Sequence, residues 1–266
     1  MNGAAQPHLT TPPDWPRRVA HAFSRAAADY SRLAGAQQVM GERLWERLPE
    51  RATRILDLGC GPGHWSARLA ERYPAGRVVG LDLASGMLEV ARRTPDSTGR
   101  TSWLCADAAI MPLADASLDL VFSNLAIQWC RHLDEVLAEL YRTLLPGGRA
   151  LINTLGPGTL SEVAHAWERP GHPATLLDFR SRDRHQAAAR LAGFRRVTIT
   201  ASRPRFHYPD LAGVMASIKG IGAQTAGNGS RLTRADLARA RQRYEALREP
   251  AGLPVTYRLL TLELES

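Results

Sequence analysis

The chain has 266 residues, of which 44% are hydrophobic and 23% charged, enough to bury one sizeable core and read as one domain with attached elements. No run approaches the ~20 apolar residues of a membrane helix, and the Pro-rich start (Pro7, Pro12, Pro13, Pro16) lacks the apolar stretch of a signal peptide, so no membrane partner and a cytoplasmic location are expected. The net charge of +8, carried almost wholly by arginine, fits an acidic partner, protein or nucleic acid, and equally fits a bias of genomic base composition.

Residues 1–16 read as a poorly ordered tail. From 17 to 48, Val19, Phe23, Ala27 and Tyr30, then Leu33, Ala36, Met40 and Leu44, recur at helical spacing, and Gly35 divides the stretch into two helices. A short strand over 54–58 ends in glycines and leads to a helix over 64–73. Strands follow over 78–82, 103–107 and 118–123, with a helix over 85–93. A helix over 133–144 stops at Pro146-Gly147-Gly148, before a fifth strand over 149–155. Helices over 161–167 and 183–192, a strand over 196–205 and a helix over 211–218 come next. A Gly-rich segment over 219–223 precedes a basic helix over 233–248, which carries Arg231, Arg234, Arg239, Arg241, Arg243 and Arg248 on or beside it. Alternation over 255–264 marks a final strand, antiparallel at or near an edge. The β/α alternation predicts an α/β fold, a mostly parallel sheet with helices on both faces. Cys60, Cys105 and Cys130 have no metal-ligand spacing and read as buried thiols; no metal site is expected.

The sharpest local signal is Asp57-Leu58-Gly59-Cys60-Gly61-Pro62-Gly63, between a strand and a helix. Glycines there let backbone amides approach a ligand, although the same residues also serve a plain tight turn. The spacing is G-x-G-x-G, with His64 next, and so departs from the G-x-G-x-x-G of pyrophosphate binders. Asp82 ends the second strand, where a carboxylate accepts two ribose hydroxyls, and Asp107 with Ala108 ends the third, where an acceptor and the backbone read a base. Ser123 to Trp129 follow the fourth strand on the same sheet edge. Helix capping is the bland reading of each acid.

Together these segments resemble the Rossmann-like class I methyltransferases over roughly residues 50 to 155. The resemblance implies a seven-stranded sheet and S-adenosylmethionine as cofactor, held by Asp57, Gly59, Gly61, Gly63, Asp82, Leu83, Asp107, Ala108 and Asn124. Asp57 would order the glycine loop and face the methionine amino group.

A finer resemblance lies in Val19-Ala20-His21-Ala22-Phe23-Ser24-Arg25 through Asp29-Tyr30, in Ser123-Asn124-Leu125-Ala126-Ile127-Gln128-Trp129-Cys130, in Ser217-Ile218-Lys219-Gly220-Ile221-Gly222-Ala223 and in Pro254-Val255-Thr256-Tyr257-Arg258. These are similar to the malonyl-acyl carrier protein O-methyltransferases of biotin synthesis. That family implies methylation of the free carboxylate of a malonyl thioester, and a monomer that docks a malonyl-loaded acyl carrier protein on a basic surface. It also implies a helical lid at 17–48, a cofactor-binding core at 49–208 and 254–266, and a helical cap at 209–253. Pro157-Gly158 and the Arg- and His-rich stretch 169–185 depart from the family. Tyr30 on the lid, Trp129 with Gln128 in an acyl pocket, and Lys219, the only lysine, facing the carboxylate are the catalytic candidates. The alternatives are methylation of another small metabolite and, third, a nucleic-acid-binding methyltransferase. Nucleic acid is the weaker partner, because Ser123-Asn124-Leu125-Ala126 stands where nucleobase-amino methyltransferases carry Asn/Asp-Pro-Pro-Tyr/Phe.

Overall fold

The computed structural model describes residues 14–93, 98–168, 177–219 and 233–266, the Lys219 side chain excepted. One sheet organises the described chain. Its strands are β1 (Arg54–Leu58), β2 (Arg77–Asp82), β3 (Thr101–Cys105), β4 (Leu118–Asn124), β5 (Leu144–Leu155), β6 (Arg196–Ser202) and β9 (Leu259–Glu265), in the order β3-β2-β1-β4-β5-β9-β6. Strand β9 is antiparallel to β5 and β6, and the other pairings are parallel.

Period-two alternation decides which residues meet which helix layer. Ile55, Leu120, Phe122 and Leu151 pack with Leu44 of α2 (Gly35–Trp45) and with Trp65 and Leu69 of α3 (His64–Arg72). Their neighbours Leu56, Val121 and Ile152 pack on the other face with Val136 and Leu140 of α5 (Leu133–Thr143) and Ala188 of α7 (Arg182–Ala192). Both faces are thus covered, which is why the strands read as continuous apolar runs.

Helix α1 (Trp15–Leu33) lies against α4 (Ser85–Arg93), and Gly86 N donates to Ser24 Oγ at 3.2 Å. Helices α6 (Ser161–Trp167) and α9 (Arg234–Glu245) pack together through Trp167 and Tyr244. A capping box starts α9: Thr233 Oγ1 accepts from Asp236 N at 3.1 Å, and Asp236 Oδ2 accepts from Thr233 N at 3.0 Å. A two-stranded ribbon, β7 (Arg205–Tyr208) with β8 (Leu253–Thr256), brackets α8 (Leu211–Lys219) and α9.

Five features differ from the sequence reading. Helix α1 begins at Trp15, two residues inside the stretch read as tail, because Trp15 buries its ring against Trp129. The strand read over 196–205 is divided at Pro204, which has no N–H to continue a ladder and whose carbonyl accepts from Tyr257 N at 3.0 Å. That same bond divides the final strand into β8 and β9, and β9 lies next to the edge strand β6. Strand β5 starts at Leu144, before the Pro-Gly-Gly turn, because Leu144 pairs with Leu118 and the turn is absorbed as a register shift. Cys105 is exposed, at the end of the edge strand β3, while Cys60 is buried. Among the described residues no helix is long and apolar enough to cross a membrane, and no group of His, Cys, Asp and Glu is arranged to hold a metal ion.

Candidate active site

Strand order reverses between β1 and β4, and loops leaving the carboxyl ends of two such strands create a crevice. Ser123 Oγ donates to Leu58 O at 2.9 Å and fixes the two loop origins together. The glycine loop then turns sharply: Gly59 N and Cys60 N both donate to Leu81 O, at 2.7 and 3.0 Å. Gly59 has φ +71, and a Cβ there would sit 2.2 Å from Ala126 Cβ, so the residue is required where the two loops touch. Gly61 has φ +55 and faces open space, the nearest atom to an added Cβ being the Tyr30 ring at 3.9 Å. Gly63 points away, into Trp103, and serves the junction of loop and α3.

A cavity of about 330 Å³ opens above these loops. Gly59 and Gly61 line it together with Asp82, Leu83, Asp107, Ala108 and Asn124. Asp82 ends β2 and accepts from Gly61 N through Oδ2 and from Ala84 N through Oδ1, both at 2.8 Å. Asp107 stands two residues beyond β3, with Oδ1 accepting from Ala109 N at 3.0 Å. Asn124 turns its amide inward, donating to Gln37 O at 3.0 Å and accepting from Asn153 Nδ2 at 3.1 Å.

Asp57 is 1% exposed and lies under the loop rather than on the cavity, with Ser66 Oγ donating to Oδ2 at 2.6 Å. Burial pushes its carboxyl up to about 7, opposed by the Ser66 hydroxyl and assisted by the charge of Asp82. Burial also raises Asp82, opposed by the amides of Ala84 and Gly61. Neither carboxylate has a cationic partner among the described residues, so the loop region stores negative charge that a cationic ligand would relieve.

Helix α1 and the single-turn 3₁₀ helix Ile127–Trp129 supply the roof. Trp15 stacks on Trp129, Phe23 meets Trp129 edge-on at 5.3 Å, and Phe23 lies 6.4 Å from Tyr30. Tyr30 and Trp129 both line the cavity, and burial pushes the Tyr30 phenol up to about 12, with the charge of Asp82 adding to the rise. Gln128 is fixed at both ends, its Nε2 donating to Leu125 O at 2.6 Å and its Oε1 accepting from Thr154 Oγ1 at 3.2 Å.

Of the residues singled out by sequence, nine line this cavity: Tyr30, Gly59, Gly61, Asp82, Leu83, Asp107, Ala108, Asn124 and Trp129. Asp57 and Gly63 support the loop from behind. Lys219 is the last residue of α8, and its side chain, like residues 220–232 with Arg231, falls outside the described part. Sequence reading missed Trp15 and Ser66, because a roof contact between distant positions and a serine facing inward from α3 leave no local pattern.

A model of the methyltransferase domain matches residues 55–148. The chain is 39% identical over 266 residues to the malonyl-[acyl-carrier protein] O-methyltransferase of Dechloromonas aromatica, covering 98% of both chains. It is 38% identical to the protein of the same name from Erwinia pyrifoliae, over 93% of this chain and 92% of that one. It is also 38% identical to the biotin biosynthesis bifunctional protein BioHC of Cellvibrio japonicus, over 93% of this chain but only half the length of that relative. Among solved structures it is similar to the YcgJ protein of Bacillus subtilis, with TM-score 0.60 and 17% identity over 86% of this chain and 97% of that one. It is similar as well to Haemonchus contortus phosphoethanolamine N-methyltransferase 2 in complex with phosphomonomethylethanolamine and S-adenosylhomocysteine, with TM-score 0.60 and 20% identity over 91% of this chain and 57% of that one. At such identities the solved structures bear on the fold alone.

Proposed function

The chain belongs to the malonyl-[acyl-carrier protein] O-methyltransferases, and from that membership we propose that it methylates the free carboxylate of a malonyl group carried on an acyl carrier protein, for biotin synthesis. The observation that carries this reading is the meeting, on one 330 Å³ cavity, of an open glycine cradle, two acidic strand ends and an aromatic roof. S-adenosylmethionine fits these residues: the open face of Gly61 admits a ligand that a Cβ would obstruct, and the uncompensated carboxyls favour a cation. Bound there, the cofactor supplies an electrophilic methyl group on a sulfonium.

The chain's own residues divide the remaining work. Asp82, already anchored by two amides, keeps lone pairs for ribose hydroxyls. Asp107 and Ala108 face the base, Leu83 and Asn124 line the same cavity, and Asp57 orders the loop from beneath. Gly59 and Gly61 give backbone access, while Gly63 sets the start of α3. Tyr30 on α1 and Trp129 below it exclude water from the reacting atoms. No general base is required, because a carboxylic acid is already ionised at neutral pH and needs only alignment with the methyl group. Lys219 remains a candidate cation for that acceptor from the end of α8.

An acidic carrier would meet a basic face, and the exposed Arg234, Arg239 and Arg241 of α9 support docking there. The test is incubation of the purified protein with labelled methyl donor and free, coenzyme A-linked or carrier-linked malonate. Label in the carrier-linked sample, at the highest rate of the three, is expected. Label in free malonate alone, or in added nucleic acid, would reject the reading.

A further inference from the structure

Behind the roof lies a second, smaller cavity of about 20 Å³, which shares Phe23, Tyr30, Leu125 and Trp129 with the first. Its other walls include Leu155, Leu177 and Phe179, and it receives three polar side chains, Gln37, Gln128 and Tyr257. Gln128 is engaged at both ends, by Leu125 O and Thr154 Oγ1. The other two are not. Gln37 is 4% exposed and neither Nε2 nor Oε1 has a hydrogen-bond partner; Tyr257 is 0% exposed and its Oη has none. Ser217 stands beside the Tyr257 phenol but outside hydrogen-bonding geometry, and its own hydroxyl donates to Val214 O at 2.8 Å.

Buried polar atoms are almost always paired, and orphans call for a ligand, a water or a functional account. Three orphaned atoms on one cavity, beside the space where the methyl group is presented, identify a polar subsite. Its volume admits about one water, or a single carboxylate oxygen in its place. No charged side chain is among its described lining residues, so whatever binds is held by neutral donors. Burial pushes the Tyr257 phenol above its ordinary range, which keeps it an O–H donor.

We infer that Gln37 Nε2 and Tyr257 Oη receive the terminal carboxylate of the methyl acceptor and turn its second oxygen toward the main cavity. The inference rests on the carboxyl-methylation reading above. Neutral donors orient an anion without taking its charge, so the acceptor stays nucleophilic toward the cationic cofactor. The aromatic wall shared by the two cavities excludes the water that would otherwise solvate the pair.

Tyr257→Phe and Gln37→Met test this in the full-length protein, by steady-state kinetics with malonyl-carrier and by calorimetry with S-adenosylhomocysteine. For each variant, kcat/KM is expected to fall by about 10- to 100-fold, the scale of one charge-assisted hydrogen bond. Affinity for S-adenosylhomocysteine should stay within about twofold, and Tyr257→Phe, which deletes an orphaned hydroxyl, should not lower the thermal midpoint. A third variant, Gln37→Glu, sets an anion against the acceptor and should remove turnover. Kinetics within about twofold of the parent in both Tyr257→Phe and Gln37→Met would overturn the subsite and leave a water cavity. A parent protein that leaves malonyl-carrier unmethylated would instead contradict the proposed function, so the two failures are distinguishable.

Discussion

Trp15 stacks on Trp129 with ring centroids 6.4 Å apart and planes inclined by 20°, and Trp15 Nε1 donates to Trp129 O at 2.8 Å. One residue begins the first helix and the other closes the loop after β4, so the pair ties the roof to the sheet edge. Trp15→Ala removes both the ring contact and the hydrogen bond, a loss on the order of 3 kcal/mol for a buried tryptophan. Because α1 packs mainly on α4 and is tied to the sheet edge by this pair, the effect should appear as local opening. Proteolysis within α1 should accelerate and kcat should fall at least about tenfold, as expected when a roof no longer excludes water. Parent-like kcat and proteolysis would remove the roof from the mechanism.

The raised carboxyls make cofactor binding depend on pH. A cationic ligand prefers ionised Asp57 and Asp82, and Asp57 is about half protonated near pH 7. Affinity for S-adenosylmethionine should therefore weaken as pH falls through 7, by up to about tenfold per unit. Calorimetry at pH 6.5 in two buffers of different ionisation enthalpy should detect proton release; no release and flat affinity from pH 6 to 8 would contradict it. The stability of the ligand-free protein carries the opposite sign to that of a salt-bridged acid. Asp57 has its folded pKa above the ordinary 3.8, so its contribution is greatest below about pH 4 and is lost as pH rises to about 7.

Asp82 acts twice, holding Gly61 N and facing the cavity. Asp82→Ala should abolish measurable cofactor binding. Asp82→Asn, which keeps an acceptor for the loop, should lose roughly 1.5 to 3 kcal/mol of binding free energy, the worth of a hydrogen bond to a charged group. Calorimetry giving parent-like affinity in a folded Asp82→Ala protein would remove this residue from the site.

On α9 the arginines differ in what they hold. Arg243 donates to Glu168 O at 2.6 Å and Arg239 lies 3.5 Å from Asp236, whereas Arg234 and Arg241 are exposed with Leu237 between them in sequence. Arg234→Glu with Arg241→Glu should raise KM for malonyl-carrier about three- to tenfold at low salt, an effect that shrinks at high salt. Cofactor affinity and thermal midpoint should not change. Parent-like kinetics at low salt would move the carrier to another face.

Where a residue's place on the cavity follows from its position at a strand end, the sequence was legible. Asp82 and the glycine loop needed only the β/α alternation around them, and Asp107, two residues past the end of β3, still reaches the cavity. Tertiary contacts were not legible. Nothing local marks Trp15 as a roof residue, nor Gln37 and Tyr257, from opposite ends of the chain, as neighbours on one small cavity. The break between β8 and β9 escaped because alternation runs unbroken through Tyr257, and only its bond to Pro204 O interrupts the pairing. Cys105 read as buried because its spacing offered no metal or disulfide role, but an edge strand leaves its end to solvent.

In the proposed reaction the carboxylate of a carrier-bound malonyl group accepts the methyl. Intact-mass spectrometry of malonyl-carrier after incubation with this protein and S-adenosylmethionine tests it directly. A mass gain of one methylene on the acyl group, lost on ester hydrolysis and not formed on acetyl-carrier, which has no free carboxylate, is the predicted result. An unchanged malonyl-carrier in the presence of demonstrated cofactor binding, or a methyl group that resists ester hydrolysis, would contradict it.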